Sequence, residues 1–265
     1  MKRVHIAAMA YEGALPTHTM TMIMTANVAM LRRGWDVVFK QRQGDSLVQR
    51  ARNAAAAEFL HDPNATDLIM VDADTFCEGA GLVRLVEHEG VDIVGAPYRA
   101  RCEPLSWSSV RFLHETIGPA ENGLLEVDGT GTGLTRYSRT CIEEMVAHCP
   151  YPYRDPTTAG GKAWPLFWVT VVPPNEGQEF GELWGEDLTF CREWRKLGGR
   201  VYVDPSITTV HIGKTFYQAK LEDWLINCPK FMDIEDVTGK KSRQDNLYSH
   251  QLKIVEEAAK IEVAA

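Results

Sequence analysis

Asp67-Leu68-Ile69-Met70-Val71-Asp72-Ala73-Asp74-Thr75 runs four apolar residues straight into two carboxylates spaced i, i+2 and then a small hydroxyl residue. A short continuous apolar run of this kind is the pattern of a strand buried on both faces, as parallel sheets contain. Such a strand delivers its last residues to the carboxyl edge of the sheet, where open α/β folds bind ligands. Asp72 and Asp74 would there offer two hard oxygen ligands to a divalent cation that also holds phosphate oxygens. Asp also closes strands in ordinary surface turns, so the tripeptide alone leaves both readings open.

The flanking sequence repeats a strand–helix rhythm. Residues 4–9 read as a first strand and 10–16 as its loop. A helix capped by Thr17 or Thr19 runs to Arg33, with Gly34 where a C′ glycine belongs. Residues 35–39 form a second strand. Asp45 or Ser46 caps a helix to about Leu60, with Leu47, Val48, Ala51, Ala55 and Phe59 on its apolar stripe and Arg50, Arg52 and Asn53 off it. A helix at 79–89 stops at Gly90, and 91–96 is a fourth strand. The order β-α-β-α-β-α-β predicts a parallel sheet with helices on both faces. No GxGxxG follows the first strand and no GxxxxGK(S/T) occurs, which excludes the dinucleotide and P-loop types of phosphate site.

Beyond Tyr98 the pattern changes. Residues 124–127 and 134–136 read as strands around Asp128-Gly129-Thr130-Gly131-Thr132-Gly133. Its alternate glycines suit either backbone amides approaching a ligand or a flexible hairpin. A helix follows at 139–148. Residues 149–181 are rich in Pro, Gly and aromatics, with one strand-like run at 166–172, and have the character of a lid or binding loop. Trp184-Gly185-Glu186-Asp187 opens a helix with Leu188, Cys191, Trp194 and Leu197 at helical spacing. Short strands at 201–204 and 207–211 lead to His211 and Gly213. From residue 216 the chain offers a Trp-containing helix, a polar linker at 239–246 and a terminal helix rich in Ala, Glu and Lys, fitted to packing or oligomerisation.

The 265 residues suit one α/β domain with an appendage, and the net charge of −8 argues against a broad basic surface for nucleic acid. Six cysteines without a CxxC pair point to reduced thiols in a cytoplasmic protein and away from zinc. The basic start at Lys2-Arg3 is followed by an apolar run that Tyr11-Glu12-Gly13 interrupts, so it reads as a strand rather than a signal peptide. The run from Met20 to Leu31 is too short and too rich in Thr to span a bilayer.

Three features recur in order: Asp72-X-Asp74, Glu186-Asp187 at a helix start, and His211-X-Gly213 after two short strands. Acids in a first helical turn often only complement the dipole, and a lone His at a strand end is often structural. As a series, with Arg52-Asn53, Phe59-Leu60, Ile93-Val94-Gly95-Ala96-Pro97-Tyr98, Gly131-Thr132-Gly133-Leu134, Gly185-Glu186-Asp187-Leu188-Thr189-Phe190-Cys191 and Val203-Asp204-Pro205-Ser206, they resemble the GT-A-fold nucleotide-sugar glycosyltransferases of the family 2 type, small enzymes of bacteria and their phages. The resemblance covers residues 1–217 as a GT-A domain and leaves 218–265 as a C-terminal helical extension. It implies a Rossmann-like mixed sheet flanked by helices. It also implies a UDP- or GDP-sugar donor, with Mn²⁺ or Mg²⁺ held by Asp74, Asp72 and His211 to neutralise the leaving diphosphate. In inverting members the aspartate of the helix motif is the general base, here Asp187, with Glu186 as runner-up. Tyr11 and Glu12 sit where such enzymes hold the nucleobase, Asp72 and Ala73 beside the ribose and metal, and Arg52 where a diphosphate or ribose contact fits.

The acceptor implied is a saccharide or, in a phage setting, a hydroxymethylated DNA base reached by base flipping, with Arg99, Arg101 and Arg111 as a basic strip. Two other classes fit parts of the pattern. Nucleotidyl transfer also uses paired acids and a metal, but residues 10–16 hold one glycine and no basic residue. A non-catalytic nucleotide- or carbohydrate-binding module would bind donor without turnover.

Overall fold

The computed structural model describes residues 1–102, 105–107, 109–113, 122–174, 176 and 179–227. The 239–246 linker, the terminal helix and Cys228 lie outside them. In chain order the first half comprises β1 (Arg3–Ala10), α1 (Thr17–Arg32), β2 (Asp36–Gln43), α2 (Val48–His61), β3 (Asp67–Asp72), β4 (Thr75–Cys77), α3 (Gly79–Glu87) and β5 (Ile93–Gly95). Then come β6 (Val110–Phe112), β7 (Leu125–Thr130), β8 (Leu134–Ser138), α4 (Arg139–Ala147), β9 (Tyr153–Arg154), β10 (Lys162–Ala163), β11 (Thr170–Val172) and β12 (Glu182–Trp184). The last described elements are α5 (Glu186–Lys196), β13 (Val201–Val203), β14 (Thr209–Ile212), β15 (Phe216–Ala219) and α6 (Leu221–Asn227).

Eight strands form the main sheet in the order β2-β1-β3-β8-β5-β13-β7-β6. β1 lies parallel to β2 and β3, as the strand–helix rhythm predicts. β5 shares their direction, since β3 and β5 both run antiparallel to β8, but β8 lies between those two strands and β7 runs antiparallel to β13. The outcome is a mixed sheet flanked by helices, consistent with the Rossmann-like GT-A architecture.

Alternation along the strands makes two cores. Val4, Ile6 and Ala8 of β1 join Ile69 and Val71 of β3 beneath α1 and α3, through Met22, Ile23, Met30, Leu82 and Leu85. Ala7, Met9, Leu68 and Met70 face α2, α4 and α5, through Ala55, Phe59, Ile142, Phe190 and Trp194. Each large side chain so buried contributes roughly 1.5–3 kcal/mol. Leu221 and Leu225 of α6 belong to this second core, so the packed unit continues past residue 217. No helix among the described residues is long and apolar enough to cross a membrane.

Local departures from the sequence pattern have physical causes. Pro16, not a threonine, precedes α1, and the Thr19 hydroxyl instead donates to the Ala73 carbonyl at 2.7 Å. Gly34 does end that helix, with φ +73°. Leu47 is 58% exposed, whereas Arg52 and Asn53 are buried at 3% and 5%. Asn53 Oδ1 accepts there from the Leu166 and Phe167 amides at 3.0 and 2.8 Å, and Arg52 meets two carboxylates through Nη1 and Nη2, while its buried Nε finds no partner among the described residues. Trp184 lies in a strand instead of opening the helix, and only Thr170–Val172 of the 166–172 run is strand, paired with β12.

Candidate functional site

β3 ends between β1 and β8, and the chain then turns into the short β4. The turn is pinned from several sides. The Asp72 amide donates to the Gly133 carbonyl at 2.9 Å and the Ala73 amide to the Met9 carbonyl at 3.0 Å. The Ile212 amide donates to the Asp74 carbonyl at 2.6 Å. β4 pairs antiparallel with β14 in a second sheet, in the register Thr75↔His211, and this brings residues 137 positions apart side by side (74 and 211). Asp74 Oδ2 stands 3.7 Å from His211 Nε2, an ion-pair distance rather than a hydrogen bond. His211 Nδ1 lies 2.9 Å from the Arg99 carbonyl, which can only accept, so Nδ1 carries a proton and Nε2 is the nitrogen presented to Asp74. Burial works against the Asp74 charge, but the His211 imidazole and the Arg101 guanidinium outweigh it and hold the carboxyl below its ordinary range.

Arg52 is the hub of the other acids. Its Nη2 reaches both oxygens of Asp72 at 2.9 Å, and its Nη1 bonds Glu186 at the start of α5. Burial disfavours the guanidinium charge, yet Asp72 and then Glu186 and Asp187 more than restore it, so Arg52 stays protonated. Asp187 bonds none of these side chains; its Oδ1 accepts from the Leu188 amide at 2.8 Å. Burial first, then the neighbouring Glu186, raise its pKa, while Arg52 pulls the other way. A carboxylate that is ionised but more basic than usual has the property a general base needs.

Tyr11 and Glu12 at the end of β1 share one cleft of about 460 Å³ with Asp72, Ala73 and Asp74, a size in the range of small-molecule sites. Arg42, Asp45 and Pro16 complete its rim. Asp72, Asp74, Glu186 and Asp187 outnumber Arg52 and Arg101, so the neighbourhood carries excess negative charge. A diphosphate would be repelled there unless a cation came with it.

Among the described residues no three His, Cys, Asp or Glu side chains are gathered as a metal cage. The donor set that fits a divalent cation is the Asp74–His211 pair, one hard oxygen and one imidazole nitrogen. The Nδ1–carbonyl bond behind it is the kind that orients metal-bound histidines. Asp72 is turned to Arg52 instead. A guanidinium nitrogen of Arg101 already sits 2.9 Å from Asp74 Oδ2, where a cation would bind.

Arg101 was not singled out from the sequence as an Asp74 partner; the available signal was the Arg99-Ala100-Arg101 spacing directly after Pro97-Tyr98. The alternate glycines also have a structural role. A Cβ at Gly131 would stand 2.4 Å from the Tyr98 hydroxyl oxygen, and one at Gly133 would stand 2.9 Å from two ring carbons. Here the glycines make room for the buried Tyr98 ring.

No protein-family model matches the chain, and no curated protein does. Among solved structures it is similar to A197 from STIV, at 18% identity and a TM-score of 0.47 over 80% of this chain and 86% of that one. A glycosyltransferase involved in the glycosylation of the major capsid of PBCV-1 aligns at 8% identity and a TM-score of 0.27, over 53% of this chain and 62% of that one. At these identities and scores the likeness is too slight to assign an activity.

Proposed function

We propose that the protein is a metal-dependent glycosyltransferase that moves a sugar from a nucleoside-diphosphate donor to an acceptor hydroxyl. The observation that carries this reading is the cleft, in which Tyr11 and Glu12 meet Asp72-Ala73-Asp74 at the carboxyl edge of the sheet. Tyr11 and Glu12 would hold the nucleobase, and Ala73 with its pinned backbone the ribose. Asp74 and His211 would hold Mn²⁺ or Mg²⁺, which when bound supplies Lewis-acid neutralisation of the departing diphosphate. Asp72 reaches this edge while bonded to Arg52, so Arg52 sets the carboxylate's orientation. Asp187 takes the proton of the acceptor hydroxyl as the hydroxyl oxygen bonds to the anomeric carbon and the nucleoside diphosphate leaves from the opposite face, a single displacement that inverts that carbon, with Glu186 held aside on Arg52.

A saccharide acceptor is favoured over modified DNA. Tyr151, Trp168 and Phe180 are exposed in the segment before α5, where flat sugar faces can stack. In the basic strip, Arg111 is occupied by Glu182 at 2.8 Å and Asp128 at 3.3 Å. The test is a thermal-shift panel of nucleotide sugars with and without Mn²⁺. A metal-dependent rise with one UDP- or GDP-sugar, followed by release of the nucleoside diphosphate, is expected. No shift with any donor overturns the reading, and pyrophosphate release from a triphosphate would replace it with nucleotidyl transfer.

A further inference from the structure

The same oxygen of Asp74 that faces His211 is already engaged. Arg101 Nη1 donates to Asp74 Oδ2 at 2.9 Å and to the Ile212 carbonyl at 3.3 Å. Arg101 belongs to the stretch after β5 that also fixes the imidazole, through the Arg99 carbonyl on Nδ1. Its methylenes cross Gly213, where a Cβ would stand 3.0 Å from Arg101 Cδ. The glycine of His211-Ile212-Gly213 therefore leaves a path for this arm, and a larger residue would press it away from Asp74. The Arg101 side chain is 50% exposed, so it can leave without opening the core, unlike the Arg52 side chain at 4%.

We propose that Arg101 is a cation-exchange arm, whose guanidinium holds Asp74 in the unliganded protein, yields it to an incoming divalent cation, and moves onto the donor's diphosphate. This rests on the metal-dependent reading above. A guanidinium and a metal ion compete for one carboxylate oxygen, and a half-exposed ion pair is weak enough to exchange readily. Once displaced, the planar fork suits the nonbridging oxygens of a diphosphate, which bring the negative charge it has lost. The exchange keeps Asp74 paired with a cation in both states.

Mn²⁺ binding, followed by the electron paramagnetic resonance signal of the free ion, tests this on the full chain without turnover. Without nucleotide, Arg101→Ala should bind Mn²⁺ about two- to fivefold more tightly than wild type, since its competitor is gone. With Mn²⁺ saturating, the same variant should bind UDP or GDP, whichever wild type prefers, about tenfold more weakly. Arg101→Lys, which keeps the charge and loses the fork, should leave Mn²⁺ affinity near wild type and restore diphosphate binding only in part. Equal or weaker Mn²⁺ binding by Arg101→Ala, or an unchanged diphosphate affinity, overturns the exchange and leaves the metal reading standing. Absence of Mn²⁺ binding by all three proteins removes both together.

Discussion

Replacing Arg52 by Met keeps a long side chain at a position 4% exposed and removes the only cation bonded to Asp72 and Glu186 among the described residues. Both acids are largely covered, with side chains 25% and 14% exposed. Removing one partner of a buried ion pair costs about 3–5 kcal/mol, because the remaining charge loses its compensation and cannot fully rehydrate. Partial exposure of Asp72 places this case at the lower end, about 3 kcal/mol. For a domain of this size that is a fall in Tm of roughly 6–12 °C. Urea unfolding should show a lower midpoint with an unchanged slope. Adding Glu186→Gln should recover about 1–2 kcal/mol, since one uncompensated charge is removed. A loss below about 1 kcal/mol, the range of exposed pairs, would refute the buried-hub account.

Asp187→Asn should lower turnover by about 10²–10⁴-fold while donor affinity stays within a few-fold of wild type. Because burial and Glu186 raise the Asp187 pKa, the acid limb of kcat/KM should lie above the ordinary aspartate value, and Arg52→Met should move it higher still. Asp204 is fully buried; burial opposes its charge, but His88, Ser206 and Arg84 lower its pKa to about 2. That contribution is complete above the unfolded value of 3.8 and is lost as pH falls through about 2. Asp204→Asn should therefore cost about 2 kcal/mol or more at neutral pH and flatten acid unfolding in that window. Gly131→Ala and Gly133→Ala should each cost about 1–3 kcal/mol by crowding Tyr98. Tyr98→Phe should relieve the first in large part, since its shortest contact is the hydroxyl at 2.4 Å with Tyr98 Cζ and Ser109 Cβ at 3.1 Å, and should relieve the second much less, since two ring carbons there stand at 2.9 Å. Equal rescue of both in thermal melts would refute that packing.

Much of the sheet is legible because apolar runs and helix stops are local signals. β1, α1, β3 and α3 fall within a few residues of their expected bounds. The place of β8 is not legible: nothing in Leu134-Thr135-Arg136 states that it must lie antiparallel between two strands made earlier. α2 misleads for a related reason. Periodicity counts Arg52 and Asn53 as surface, yet their partners Glu186 and Phe167 lie 134 and 114 residues away and make burial tolerable. Trp184 shows the same limit, since its strand exists only by pairing with Thr170. In the site, adjacency of Asp74 and His211 depends on the β4–β14 register, which a motif series points toward but does not contain. The pairing of Arg101 with Asp74 is not legible in the sequence for the same reason, since the two residues lie 27 positions apart and meet beside that register.

The place of β13 has a consequence for how the chain is made. In the main sheet β13 is the strand that joins β5 to the β7–β6 pair, and it arrives at Val201–Val203. Until then a nascent chain carries two open strand edges, one on β5 and one on β7, each able to recruit a strand from another molecule. The 108 residues between Gly95 and Val203 take roughly 5–20 s to synthesise at ordinary ribosomal rates. His211 emerges later still, so the ribosome-bound protein has its acids before it has the histidine beside them. Such a chain would depend on chaperones for that interval, and would gain its complete site only after the sheet has closed.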